Sequence, residues 1–147
     1  MTALFNRLAV AIVALTLATA AMAQDGMHRL ALQISDNDPQ KMNTVLNVAA
    51  NVARHYSDLG EEVEIRIVAF NAGLHMLRED TSPVLERLKS FDQSMHNVSF
   101  AACDNTVAAM ARKEGKEIPV VAMAEHVPAG VVDLITLDEA GWTIVRP

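Results

Sequence analysis

Cys103, the only cysteine of the chain, is its best candidate for chemistry. It stands in the segment FAACDNTV, between an apolar run and residues that predict the start of a helix. Free N–H groups at a helix start favour an anion, so they favour the thiolate and make this cysteine a nucleophile. Asp104 opposes this by like-charge repulsion, unless its side chain turns away to cap the helix. Two other roles for Cys103 stay open, a small buried apolar residue and an intermolecular disulfide.

Few other side chains are placed to assist Cys103. His75 falls in a loop expected at the same edge of the sheet, where it could serve as a base or a donor, although a lone loop histidine is more often solvated. Arg112 and Lys113 follow about two turns or more along the predicted helix, over roughly 10 Å away, and cannot be the main activators of the thiol.

Metal and cofactor chemistry find little support in the sequence. A soft copper(I) site would need Met95, His96 and Met110 beside Cys103, but core packing explains the helical spacing of Met110 better. The chain has no G-x-x-x-x-G-K-[ST], G-x-G-x-x-G, G-x-S-x-G or C-x-x-C motif, so nucleotide binding, a hydrolase elbow and a dithiol redox cycle are unsupported. We expect neither a metal nor a cofactor, and one thiol without a resolving partner suits a carrier or transferase.

Residues 1–23 have the pattern of a secretory signal peptide. Arg7 supplies the positive charge, residues 8–20 are mostly apolar, and Ala-Met-Ala at 21–23 fits a cleavage site. A retained membrane anchor is the alternative, but a spanning helix needs roughly 20 apolar residues. We therefore expect a periplasmic protein with a single domain over 24–147 and no membrane contact after cleavage.

The charge of the exported domain limits its partners. Loss of Arg7 takes the formal net charge from −6 to −7. An acidic domain repels phosphate backbones, so we expect no nucleic-acid partner. The compartment is oxidising, so an exposed thiol there is at risk of oxidation. We therefore expect the lone cysteine to be either buried or functional.

Apolar periodicity and turn residues divide the domain into alternating strands and helices. Asp38 and Pro39 predict the start of the first helix, Ser82 and Pro83 that of the second, and Asp104 or Asn105 caps the third. Strands are predicted over 28–35, 63–70, 98–103, 118–123 and 142–147, and the helices over about 39–59, 83–91, 105–114 and 128–140.

Strict alternation predicts a mainly parallel sheet with helices on both faces and right-handed crossovers. In such sheets the ligand site lies at the carboxyl ends of the strands. Cys103, residues 35–38 and the loop over 71–75 all fall at such ends. In that loop, Gly73 is free to take a positive φ.

Two segments resemble the DsrE/DsrF-like family, also called the YchN-like fold. VSFAACDNTVAAMARKEG is similar to the family's cysteine segment, and GVVDLITLDEAGWTIVRP to its closing helix, Gly-aromatic turn and last strand. The resemblance covers about 28–147. It implies a three-layer flavodoxin-like α/β fold, assembly as trimers or hexamers, and Cys103 as a persulfide carrier. It also implies supporting roles at the helix start for Asn105 and Thr106.

Two functions therefore follow as expectations. The first is a periplasmic sulfur carrier or sulfurtransferase-like protein that accepts sulfane sulfur on Cys103 and relays it between a donor and an acceptor protein. The second is a non-catalytic oligomeric protein for small-ligand binding or assembly, in which Cys103 is structural. The well-understood sulfur relays of the family are cytoplasmic hetero-complexes, unlike an exported chain.

Overall fold

The computed structural model describes residues 26–147, and the predicted signal peptide lies outside the described residues. Five strands alternate with four α-helices. The strands are β1 (Met27–Ile34), β2 (Glu62–Ala69), β3 (Val98–Cys103), β4 (Ala124–Val127) and β5 (Thr143–Val145). The helices are α1 (Pro39–Leu59), α2 (Leu85–Ser94), α3 (Asp104–Glu114) and α4 (Gly130–Glu139), with a 3₁₀ helix over Asn71–Leu77. Within residues 26–147, none of the helices has the length and apolar character to span a membrane.

The strands form one sheet in the order β4-β3-β2-β1-β5, and every pairing is parallel. The chain steps in one direction from β1 to β4 and then returns across the sheet to β5. Because crossovers are right-handed, the first three connections place α1, α2 and α3 on one face, and the return places α4 on the other. The predicted three-layer flavodoxin-like α/β fold is confirmed.

Two apolar cores, one on each face of the sheet, agree with this arrangement. The larger packs α1 and α2 against the sheet and includes partly buried residues of α3, such as Val107 and Met110. The smaller packs Leu134 and Leu137 of α4, with Trp142, against the opposite face. Cys103 belongs to the smaller core.

The first helix begins and ends as its sequence predicts. The Asp38 side chain accepts hydrogen bonds from the backbone N–H groups of Gln40 (2.8 Å) and Lys41, and Pro39 occupies the first turn. Gly60 ends the helix with a left-handed φ of 72°. Its buried stripe is Met42, Val45, Leu46 and Ala49.

The predicted fourth strand over 118–123 is wrong, and the strand that pairs with β3 is β4, four residues long. The apolar segment instead runs antiparallel to the end of the 3₁₀ helix. Val120 forms an isolated bridge with Arg78, and the Val121 N–H donates to the Leu77 carbonyl at 2.9 Å. The segment is apolar because Ile118 and Val121 are buried there.

Two predicted helix starts also differ. Helix α2 begins at Leu85, because the Ser82 hydroxyl donates to the Met76 carbonyl (2.6 Å) and makes only a long bond, 3.3 Å, with the Val84 N–H. Helix α4 begins at Gly130 rather than near Pro128, since residue 129 is still extended.

The loop over 71–75 is part of the 3₁₀ helix, and the positive φ there belongs to Asn71 (49°), not to Gly73. Gly73 is needed for a different reason. A Cβ atom on it would lie 2.2 Å from the Ile34 carbonyl oxygen. The 3₁₀ helix therefore sits directly against the end of β1.

Candidate functional site

Cys103 lies at the carboxyl end of β3 and is also the residue that precedes the first turn of α3. Side chains alternate along a strand, so Phe100 and Ala102 enter the larger core while Ala101 and Cys103 enter the smaller one. The thiol thus points to the face that α4 covers. Cys103 is only 5% exposed.

The topology opens a crevice at this point. The chain leaves β3 towards α3 on one face and leaves the neighbouring β4 towards α4 on the other. Adjacent strands whose connections diverge in this way leave a gap at their carboxyl ends, which is the usual ligand position in open α/β sheets. Cys103 lies at this gap.

Two helix N-termini meet at the thiol. The N–H groups of Asn105 and Thr106 open α3, and that of Gly130 opens α4. The Asn105 N–H donates to the Pro128 carbonyl at 3.3 Å, which ties the two turns together. The start of α4 can pack this closely against Phe70 because residue 130 is a glycine. A Cβ atom there would already lie 3.0 Å from the Phe70 side chain.

These surroundings lower the pKa of Cys103. Burial alone raises the pKa of the thiol, but the Thr106 hydroxyl and the N–H groups of Gly130, Thr106 and Asn105 favour the thiolate and outweigh it. The N–H groups favour the thiolate because the positive end of each N–H dipole stabilises its negative charge. The site therefore favours a nucleophilic thiolate.

Thr106 is buried and links the thiol to the end of β2. Its Oγ1 accepts a hydrogen bond from the Asn71 N–H at 3.0 Å, which leaves the hydroxyl hydrogen free to point at the sulfur. Asn71 makes this bond from the left-handed φ of 49°, a conformation that asparagine tolerates better than most residues.

The predicted cap of α3 is wrong: Cys103 occupies the cap position, and neither Asp104 nor Asn105 caps the helix with its side chain. The Asp104 Oδ1 lies 2.5 Å from Nδ1 of His126. The carboxylate is therefore held by a partner on the neighbouring strand β4.

A pocket of about 440 Å³ opens at Cys103. One wall is a side of α3 formed by Asn105, Thr106, Ala109, Met110 and Lys113. The other walls come from the end of β2 (Phe70, Asn71) and the start of α4 (Ala129, Gly130, Val131).

Of the side chains that the sequence singled out, Cys103, Asn105 and Thr106 meet at this pocket. His75 is not part of its lining: the Nδ1 atom of its ring lies 2.9 Å from the Thr81 hydroxyl. Met95 and His96, considered for copper, line other pockets, although Met110 does reach the pocket at Cys103. Within residues 26–147, no cluster of three or more His, Cys, Asp or Glu side chains could hold a metal ion.

Sequence reasoning missed Gly130 and gave no role to Asn71, although it placed the loop over 71–75 at this edge of the sheet. It considered Lys113 only as an activator of the thiol and missed its place in the pocket wall. Asn71 could have been found as a polar residue directly after the predicted strand over 63–70, at the same edge of the sheet as Cys103. Lys113 could have been found from its spacing, since residues 106, 109, 110 and 113 share one side of a helix.

A second pocket of about 390 Å³ lies near the amino ends of the strands, away from the thiol. It is lined by the second half of α1 and the starts of β1 and β2. The His28 ring stacks on Tyr56 with centroids 3.9 Å apart, and its Nε2 lies 2.8 Å from a Glu61 oxygen. The pocket contains no cysteine.

Comparison with known proteins supports the fold. No family model matches the chain, and no curated protein matches it. Among solved structures it is similar to MTH1491 from Methanobacterium thermoautotrophicum, a protein of unknown function, with a TM-score of 0.66 and 26% sequence identity. That match covers 82% of this chain and 99% of the other.

Proposed function

We propose that this protein is a periplasmic sulfur carrier or sulfurtransferase-like protein, in which Cys103 accepts sulfane sulfur as a persulfide and relays it to a partner protein. The observation that carries the proposal is the thiol at the mouth of a pocket, between two helix N-termini that lower its pKa. The resemblance of the cysteine segment to the DsrE/DsrF-like family points the same way.

The chemistry needs only groups that the chain has. The Cys103 thiolate attacks the terminal sulfur of a donor X–SH, a new S–S bond forms, and X leaves with the electron pair of the bond that breaks. The resulting Cys103 persulfide stays at the same N–H dipoles, which favour its anion as they favour the thiolate. Since Cys103 is the only cysteine, no second thiol in the chain can attack the persulfide. An acceptor thiolate from another molecule then takes the outer sulfur and releases the Cys103 thiolate.

The test is the reactivity of Cys103 in the purified mature protein. We expect alkylation against pH to report a thiol pKa well below the ordinary value of about 8.5. Incubation with thiosulfate or polysulfide should add mass in steps of about 32 Da, one sulfur atom each. Cys103→Ser should abolish the gain and keep the fold. Loading that survives in Cys103→Ser would overturn the proposal.

The alternative, a non-catalytic binding or assembly protein, predicts a slow thiol and an unchanged mass. In that case Cys103→Ser should lower the free energy of unfolding by about 1 kcal/mol or more, because the substitution buries an unpaired hydroxyl. An intermolecular disulfide would instead give a covalent dimer on non-reducing gels.

We also propose assembly into a homotrimer or hexamer, as the family resemblance implies. Support comes from α4, which exposes three large apolar side chains: Val131 (52%), Val132 (59%) and Ile135 (53%). Val131 also lines the thiol pocket, so an assembly through this face would border the site.

A further inference from the structure

The pocket at Cys103 extends along α3 instead of closing around the sulfur. Its α3 wall runs from Cys103 past Thr106 and Met110 to Lys113, along one side of the helix. Ten residues of α-helix rise about 15 Å, and a lysine side chain leans back towards the helix N-terminus. A molecule that touches both the sulfur and the Lys113 ammonium must therefore span on the order of 10 Å.

The chemical character of the wall changes along its length. The dipoles of the two helix N-termini surround the sulfur at one end, and an ammonium group stands at the other. The lining also includes Phe70, Ala109 and Val131, which offer no side-chain hydrogen-bonding groups, and Ala109 lies on α3 between Thr106 and Lys113. An inorganic sulfur anion could occupy one end but could not use both. The volume of about 440 Å³ lies in the range of pockets that bind small organic molecules.

The charge of Lys113 is available to a ligand. Within residues 26–147, no carboxylate lies within ion-pair distance of its ammonium group. Two nearby cations differ in this respect: Lys116 lies 2.9 Å from Asp80, and Arg78 is paired with both Asp80 and Glu114. Among the described residues Arg112 is unpaired like Lys113, but it does not line the pocket. Lys113 is thus a cation in the pocket wall whose counter-ion is not supplied by the described chain.

From these observations we infer the class of the sulfur donor: an organic persulfide of about tripeptide size, with a carboxylate that binds Lys113 while its terminal sulfur meets Cys103. The inference rests on the proposed function of Cys103 and makes it more specific. The apolar middle of the pocket takes the body of the donor. Lys113 acts in binding and does not activate the thiol, because it follows Cys103 by ten residues along α3.

The transfer step balances without a further reactant. The Cys103 thiolate attacks the terminal sulfur of R–S–SH, and the S–S bond of the donor breaks. The products are the Cys103 persulfide, which keeps the hydrogen on the transferred sulfur, and the thiolate R–S⁻, which leaves with the electron pair. One negative charge is present on each side. The leaving thiolate stays tethered through its carboxylate until it dissociates from Lys113.

Two donors that differ in the carboxylate test the inference. Glutathione persulfide carries carboxylates at some distance from its sulfur, and 2-mercaptoethanol persulfide has the same reactive group without one. The initial rate of Cys103 loading is measured for each by intact mass, over a range of donor concentrations. The loading efficiency of a donor is its initial rate divided by its concentration. The ratio of the two efficiencies gives the preference for the donor that carries a carboxylate.

We expect the wild-type protein to prefer glutathione persulfide, and Lys113→Met to lose about tenfold of that preference, since a charged hydrogen bond is lost. Lys113→Arg should keep most of it. Lys116→Met is the matched control, because it removes the same charge outside the pocket and should keep the wild-type ratio.

The outcomes distinguish a wrong donor class from a wrong function for Cys103. If both donors load Cys103 and Lys113→Met leaves the ratio unchanged, the donor class is wrong and the sulfur-carrier function stands. If neither these donors nor thiosulfate loads Cys103, the proposed function itself fails, and the inference fails with it. A ratio that falls equally in Lys113→Met and Lys116→Met would reduce the effect to overall charge and also overturn the inference.

Discussion

Asp104 follows Cys103 directly, and a carboxylate turned towards the sulfur would raise the thiol pKa by repulsion. The structure pairs it with His126 on β4 instead, at 2.5 Å. This contact keeps the carboxylate on the β4 side of the turn, so the N–H dipoles of α3 and α4 act on the sulfur with little opposition. His126 is therefore a positioning residue for the thiol, through Asp104.

We expect His126→Ala to raise the pKa of Cys103 and to slow its alkylation at neutral pH by on the order of threefold, because the Asp104 carboxylate is then free to approach the sulfur. The rate of alkylation against pH measures the effect. In an Asp104→Asn background the same substitution should change nothing, since no carboxylate remains. An equal effect in both backgrounds would mean that His126 influences the thiol by another route.

Among the residues of the thiol site, the sequence predicts those that lie close together along the chain. It misses those that the fold brings to the thiol from other elements. Cys103, Asn105 and Thr106 are consecutive or nearly so, and a helix start after a strand is enough to place them together. Gly130 reaches the thiol only through the pairing of β4 with β3, which no local pattern encodes. The position of Asn71 at the end of a strand is local, but its bond to Thr106 depends on the pairing of β2 with β3. His75 shares an edge of the sheet with Cys103, but its ring turns to Thr81.

At the scale of elements, the 3₁₀ helix is held by a close approach at Gly73. We expect Gly73→Ala to lower the free energy of unfolding by about 2 kcal/mol or more, because the new Cβ would meet backbone atoms of Ile34 and Ser35 that cannot move aside cheaply. Urea unfolding measures the loss. Gly26→Ala is the control, since nothing lies within 4 Å of its Cβ position. A Gly73→Ala protein as stable as the control would show that the 3₁₀ helix can shift without cost.

A buried guanidinium joins the end of the 3₁₀ helix to the end of α3. Arg78 is 1% exposed and binds both Asp80 oxygens (2.9 and 2.8 Å) and the Glu114 carboxylate. The Arg78 guanidinium lowers the pKa of both carboxyl groups below their ordinary values of 3.8 and 4.5. Their contribution to stability is therefore complete above pH 4.5 and is lost as the pH falls towards the folded-state values.

We expect the free energy of unfolding to fall between about pH 5 and pH 3, and to fall less steeply in Arg78→Met, where the carboxyl groups return towards their ordinary pKa. Urea unfolding at several pH values measures both slopes. Parallel curves for the two proteins would show that other groups cause the acid sensitivity.

The backbone of Arg78, rather than its guanidinium, explains why the prediction of the fourth strand is wrong. Residues 118–123 are apolar and rich in valine, whereas β4 carries Glu125 and His126 and lies at the edge of the sheet. Local pattern favours the first segment. Tertiary packing places this segment outside the sheet, because the backbone of Val120 forms an isolated antiparallel bridge with the backbone of Arg78. Helix α1, with its aspartate cap and its glycine stop, has no such competitor, and both of its predicted ends are confirmed.

At the scale of the whole molecule, α4 is the one α-helix that the described chain places on its face of the sheet. A single helix covers little of a five-stranded sheet, and its outer side is apolar: Val131, Val132 and Ile135. Exposed apolar groups of this kind mark interaction surfaces when they are contiguous. The proposed trimer or hexamer would bury them beside the thiol pocket.

We therefore expect Val132→Glu to dissociate the assembly into monomers, because it places a charge in the apolar interface while the monomer already exposes the residue (59%). Light scattering after size exclusion measures the mass. Leu59→Glu is the matched control: Leu59 is as exposed (58%) but lies at the end of α1, away from the α4 face, so its variant should assemble like the wild type. A monomeric wild type would refute the assembly, and a Val132→Glu protein of full mass would place its interface elsewhere. If dissociation also changes the alkylation rate of Cys103, the interface borders the site, as the shared residue Val131 predicts.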